Sequence, residues 1–163
     1  MARNNKIKEY IIYLFVVVII GGLIIAWLSA SPPIFYVAND CYQTLYKDFT
    51  TDSTINLYNK GKEIGYATFC ISSKEFVFKT EDDTYNHNMC FNEMNVPPKE
   101  SDLMQQIQIK IKPDANSFDS LEKASYTFEI KCRQEVWGIL GKNCDSLIRT
   151  CKYNKVGNSF NKV

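Results

Sequence analysis

From Tyr10 to Ala30 the chain runs for 21 residues without a charged side chain, most of them Ile, Val, Leu or Phe. A bilayer core about 30 Å thick is crossed by about 20 apolar residues of helix, so this run is long enough to span one. The stub before it, Met1 to Glu9, carries Arg3, Lys6 and Lys8 against Glu9. By the positive-inside rule the stub is expected in the cytoplasm and everything after Ala30 outside it. Tyr10 and Tyr13 near one end and Trp27 near the other suit the two interfaces. A cleaved signal peptide is the competing reading, with Leu28-Ser29-Ala30 as its cleavage sequence. Apolar regions of signal peptides run about 7–15 residues, and the greater length here favours a retained anchor. The predicted organisation is a cytoplasmic stub over 1–9, a transmembrane helix over 10–30 and an exported domain over 31–163.

Nine cytoplasmic residues leave no room for a catalytic or DNA-binding domain, so any effect inside the cell is expected to pass through a partner. Gly22, Ala26 and Ala30 recur every four residues. That spacing puts small side chains on one helix face, a candidate membrane-helix contact, although composition alone would produce it too.

All six cysteines, Cys41, Cys70, Cys90, Cys132, Cys144 and Cys151, lie beyond the apolar run. An even number confined to the exported side predicts disulfides, with 15 possible pairings left open. No Cys-x-x-Cys occurs, which argues against a thioredoxin-type redox motif or a zinc knuckle. The glycines are scattered and form no phosphate-binding loop, and no cofactor is expected. His87 is the only histidine and stands three residues before Cys90, so a Cys–His enzyme is the poorer reading.

The remaining pattern is mainly β. Ile107, Ile109 and Ile111 alternate with polar residues across Met104–Lys112, and Tyr126, Phe128, Ile130 and Cys132 do so across Ser125–Arg133. Thr54–Tyr58 and Glu63–Ile71 are predicted to form a hairpin around Asn59-Lys60-Gly61-Lys62, with Gly61 at positive φ. Glu75–Lys79 is a further strand. Cys41, Tyr42, Leu45, Tyr46 and Phe49 have helical spacing behind Asn39 or Asp40 as a cap. Cys144, Leu147, Ile148 and Cys151 fit either a short helix or a final strand. The expected fold class is α+β, mainly antiparallel β. It comprises one N-terminal transmembrane helix and a small disulfide-bonded, barrel-like or curled-sheet domain with one or two short helices.

Charges nearly cancel, at 19 Lys+Arg against 18 Asp+Glu, so the total points to no direct contact with nucleic acid. Their distribution is uneven. Beyond Ile130, seven basic residues (Lys131, Arg133, Lys142, Arg149, Lys152, Lys155, Lys162) face Glu135 and Asp145. A basic end of this kind suits an acidic partner surface or lipid headgroups, or is simply solvated. His87 follows Glu81, Asp82 and Asp83 in a polar loop, where carboxylates would favour the charged ring; it is the candidate acid sensor. Phe69, Phe76, Phe78, Phe91, Tyr126 and Phe128 could line a barrel holding a bile-salt-like apolar ligand, or form plain core.

A basic stub, one membrane helix over Met1–Ala30, the cysteine set and the Ile107–Ile111 and Tyr126–Cys132 strands together resemble a known layout. It is that of the PsaF/MyfF-type accessory membrane proteins, with ToxS, VtrC and FidL-like proteins as functional relatives. The resemblance implies a bacterial inner-membrane protein with most of its chain in the periplasm. It further implies that the protein binds the periplasmic domain of a single-pass ToxR-like transcription regulator. Such a partner would be protected and activated for expression of adhesive fimbriae, in some members through a pocket for an environmental signal. The alternative is a structural subunit of a surface or secretion assembly, or of a viral envelope fusion complex.

Overall fold

The computed structural model of the chain describes residues 2–29, 32–38, 41–80, 82–98, 103–136 and 140–163. These form two compact units, Met1–Ser31 and Pro32–Val163, treated separately below.

The first unit is a single helix, α1 (Ala2–Ser29). Within it Lys8–Ala26 is long and apolar enough to cross a membrane. Ile11, Leu14, Phe15, Val18 and Ile25 along it stand exposed. Gly22 and Ala26 lie one turn apart on α1, and a Cβ placed on Gly22 would meet nothing within 4 Å. Ala30 lies outside the described residues.

The second unit is built from two antiparallel sheets. Five strands form the first: β1 (Phe35–Ala38), β3 (Thr51–Asn59), β5 (Phe76–Lys79), β6 (Tyr85–Asn86) and β9 (Gln105–Pro113), in the order β1-β3-β9-β5-β6. The second contains β2 (Thr44–Tyr46), β4 (Gly65–Ser73), β7 (Asn88–Cys90), β8 (Met94–Val96), β10 (Lys123–Val136), β11 (Leu140–Asn143), β12 (Leu147–Val156) and β13 (Ser159–Lys162). Its path runs β2-β13-β12-β10-β4-β7, with β11 beside β10 and β8 beside β4, and it curls into a half-barrel. One short helix, α2 (Ala115–Phe118), is capped by Asp114, whose carboxylate accepts from the Asn116 N–H at 3.2 Å.

Period-two alternation decides which side chains meet between the sheets. Ile107, Ile109 and Ile111 of β9 and Ile55 and Leu57 of β3 turn inward from one side. Phe69 and Ile71 of β4, with Tyr126, Phe128 and Ile130 of β10, turn inward from the other. The rings fill that interior. Phe69 stacks on Phe128 at 5.4 Å and meets Phe91 edge-on at 5.7 Å, while Phe76 meets Tyr126, Tyr153 and Phe160 at 5.5–5.9 Å. Phe78 reaches Tyr126 at 6.2 Å. The aromatic residues considered for a ligand-holding barrel are thus packed against one another in the core, with Phe91 half-buried at its margin.

Two local expectations are corrected and one open alternative is decided. Thr54–Tyr58 and Glu63–Ile71 do not form a hairpin, because β3 pairs with β1 and β9 while β4 pairs with β10, β7 and β8. The link between them turns a corner from one sheet to the other. Buried Asn59 shapes that corner: its Oδ1 accepts from the Ile34 and Gly61 N–H groups (3.1 and 2.8 Å), and its Nδ2 donates to the Glu63 carbonyl (2.7 Å). Gly61 does not take positive φ. Its role is close approach, since a Cβ there would lie 2.7 Å from the Pro32 carbonyl oxygen and 2.8 Å from the Pro33 Cα. Gly61→Ala should accordingly cost about 1–3 kcal/mol, read as a fall in the urea midpoint. An unchanged midpoint would show that the corner relaxes freely.

The second correction concerns Cys41–Phe49, which is not helical. Thr44–Tyr46 extends along β13, with Leu45 opposite Phe160. Tyr42, Tyr46 and Phe49 stay exposed, so their helical spacing buries nothing, and pairing with β13 prevails over local preference. Of the two alternatives left for Cys144–Cys151, the strand is found: Leu147–Cys151 lies in β12, and Cys144–Ser146 precede it. A tight turn at Gly157 (φ +59°) and Asn158 carries β12 into β13. Of the one or two short helices expected in this domain, the described residues hold one, α2, at a place the pattern did not mark.

Candidate functional site

All six cysteines are bonded: Cys41 to Cys151, Cys70 to Cys90 and Cys132 to Cys144. Three disulfides are the mark of a domain that folds in an oxidising compartment. They differ in depth. Cys151 is 1% exposed and Cys132 6%, whereas Cys90 stands open to solvent on the short edge strand β7. Among the described residues no cluster of His, Cys, Asp and Glu is arranged to hold a metal ion.

His87 lies between β6 and β7, with its side chain exposed. Its Nδ1 is 3.0 Å from the Phe76 carbonyl oxygen, and since a carbonyl can only accept, Nδ1 carries the hydrogen. Its Nε2 is 3.9 Å from Asp114 Oδ2. Of the acidic run before it, Asp82 and Asp83 are engaged elsewhere. Asp82 is bound by the hydroxyls of Thr80 and Thr84, and Asp83 pairs with Lys79 Nζ at 2.8 Å. Those hydrogen bonds hold both carboxyls below the ordinary carboxylate range, and Glu81 lies outside the described residues. The carboxylate that faces His87 comes instead from the cap of α2. Only the tertiary fold brings it there.

The basic surplus after Ile130 is partly committed. Arg133 forms a two-pronged bond to Glu93 (2.9 and 2.7 Å), which holds that carboxyl below its usual range. Lys155 Nζ donates to the Phe118 and Asp119 carbonyls (3.0 and 3.1 Å) and lies 4.7 Å from the centre of the Phe118 ring. Lys131 sits 3.9 Å from Glu129. Arg149 and Lys152 on β12 have no acidic partner among the described residues.

That positive stretch coincides with an open sheet edge. β10 covers one side of β12 from Leu147 to Asn154. On the other side β13 covers only Tyr153 to Val156, with one further bond from Val163 N–H to the Lys152 carbonyl (3.0 Å). Backbone groups alternate sides along an antiparallel strand, so Ile148 and Thr150 point their N–H and C=O the same way as Lys152. Among the described residues no strand pairs with them there. Ile148 is also 58% exposed. The resulting surface is a short edge with free backbone groups, an apolar side chain at its start and two cations along it.

No protein-family model, curated protein or solved structure matches the chain.

Proposed function

We propose that the chain is a non-enzymatic accessory protein that binds the exported domain of a single-pass transcription regulator, in the manner of the PsaF/MyfF type. In this reading α1 anchors it in a bacterial inner membrane, with the stub inside and Pro32–Val163 in the periplasm. Binding stabilises and activates the regulator for fimbrial gene expression. The observation that carries the reading is the open edge of β12. An extended segment of the partner adds to it as a further strand, its main chain bonding Ile148 and Thr150 and its acidic side chains meeting Arg149 and Lys152. Three disulfides and an apolar helix of spanning length support the layout.

The test places a photo-crosslinking residue at Ile148 of the full chain in native membranes and identifies the adducts by mass spectrometry. A single-pass protein with a cytoplasmic DNA-binding domain is the expected adduct. Copies of the chain itself, or subunits of a large assembly, would replace this reading with the structural one. Ile148→Pro removes an outward-pointing N–H that β10 does not use, so the fold tolerates it. It should cut the yield of the regulator complex at least tenfold and leave the thermal midpoint within a few degrees.

A further inference from the structure

We infer that Cys70–Cys90 is a thiol–disulfide exchange site, opened by a reduced dithiol while the other two bridges stay closed. The inference goes beyond partner binding and does not depend on it.

The placement of the pair carries the argument. Cys70 and Cys90 are direct partners in the β4–β7 register, with Cα atoms 4.1 Å apart. The Phe91 N–H bonds the Phe69 carbonyl (2.8 Å) on one side, and the Ser73 N–H bonds the His87 carbonyl (2.9 Å) beyond the other end. The cysteines therefore occupy a non-hydrogen-bonded position, where facing side chains come closest. Phe69 and Ile71 on either side of Cys70 point into the core, so the bridge itself lies on the outer face of the sheet.

Access is one-sided. Cys90 is exposed and Cys70 half-buried, and Cys90 also borders a surface cleft of about 390 Å³ together with Thr80, Asp82, Asn88, Met89, Phe91 and Asn92. An attacking thiolate therefore reaches Sγ of Cys90. It forms a mixed disulfide there while the Cys70–Cys90 bond breaks, and Cys70 leaves as a thiolate that takes a proton from water. The second thiol of the donor then attacks the donor's own sulfur in that mixed disulfide, and Cys90 leaves as a thiolate. Two electrons and two protons have passed to the chain, and the donor has become a disulfide. Neither other bridge offers such a sulfur: Cys151 and Cys132 are buried, and Cys41 and Cys144 are half-buried.

Opening the bond also has somewhere to act. β7 is three residues long and lies at the end of its sheet, paired only with β4 through Ser72–Asn88, Ile71–Met89 and Cys70–Cys90. Without the cross-link this strand is held by a few backbone bonds and loosens from β4, carrying His87 with it.

The test uses the full chain in detergent micelles and graded ratios of reduced to oxidised dithiothreitol. Free thiols are blocked with N-ethylmaleimide and assigned by mass spectrometry. Cys70 and Cys90 should be alkylated at least tenfold faster than the other four, and amide exchange should rise at 88–91 but not in β10. Earlier opening of either other bridge, or simultaneous opening of all three, would overturn the assignment. So would fast alkylation without any rise in exchange at 88–91, as regards release of the strand. The Cys70→Ala/Cys90→Ala double variant provides the control: fast-reacting thiols that persist in it cannot belong to this pair.

Discussion

Removal of the Cys41–Cys151 bridge by a double substitution to alanine should destabilise Pro32–Val163 more than removal of either other bridge. The bond closes a separation of 110 residues, against 20 for Cys70–Cys90 and 12 for Cys132–Cys144. In the chain-entropy account the loss is roughly 5 kcal/mol for the first and roughly 3 kcal/mol for the shorter ones. The site adds to this, because Cys151 is buried beside the core and ties β12 to the segment leading into β2. Urea unfolding of the full chain in detergent, for all three paired variants, reads the order directly. A Cys132→Ala/Cys144→Ala variant weaker than the Cys41/Cys151 one would show that loop length does not govern these bridges.

Phe76→Ala carries the second large expected effect, a loss of about 3–5 kcal/mol from cavity formation and lost transfer energy. Phe76 belongs to the five-stranded sheet, yet its ring meets Tyr126, Tyr153 and Phe160, all from the curled sheet. Truncation therefore removes contact between the two layers. Phe49→Ala is the matched control: Phe49 is 69% exposed, and its loss should change stability by less than about 0.5 kcal/mol. Equal effects of the two substitutions would mean that the interior around Phe76 collapses at no cost.

The elements legible from sequence were those whose pattern is set by a single strong contrast. The alternation at Ile107–Ile111 and Tyr126–Cys132 reports strands with one face in the core, and both are found. The apolar run reports a helix of spanning length, and the confinement of cysteines beyond it reports their bonding. What failed depended on partners far along the chain. Leu45 lies in a strand because Phe160 is opposite it, and no local pattern near Cys41 reveals that. Asn59 and Gly61 look like turn residues, and they are, but the turn leads to a different sheet. The sequence sets His87 beside Asp82 and Asp83, whereas Thr80, Thr84 and Lys79 occupy those two carboxylates and Asp114 supplies the one that reaches it. The open edge of β12 left no mark in the sequence beyond the basic surplus, since an edge is defined by where β13 stops.

The pairing of early strands with late ones bears on how the protein is made. β2 closes onto β13, β4 onto β10 and β3 onto β9, and Cys41 waits for Cys151. The five-stranded sheet has all its strands by Pro113, but the curled sheet cannot be completed, nor Cys41 bonded to Cys151, until Ser159–Lys162 has been synthesised. Translation pauses or truncations late in the chain would therefore yield unfinished polypeptides rather than a smaller working domain.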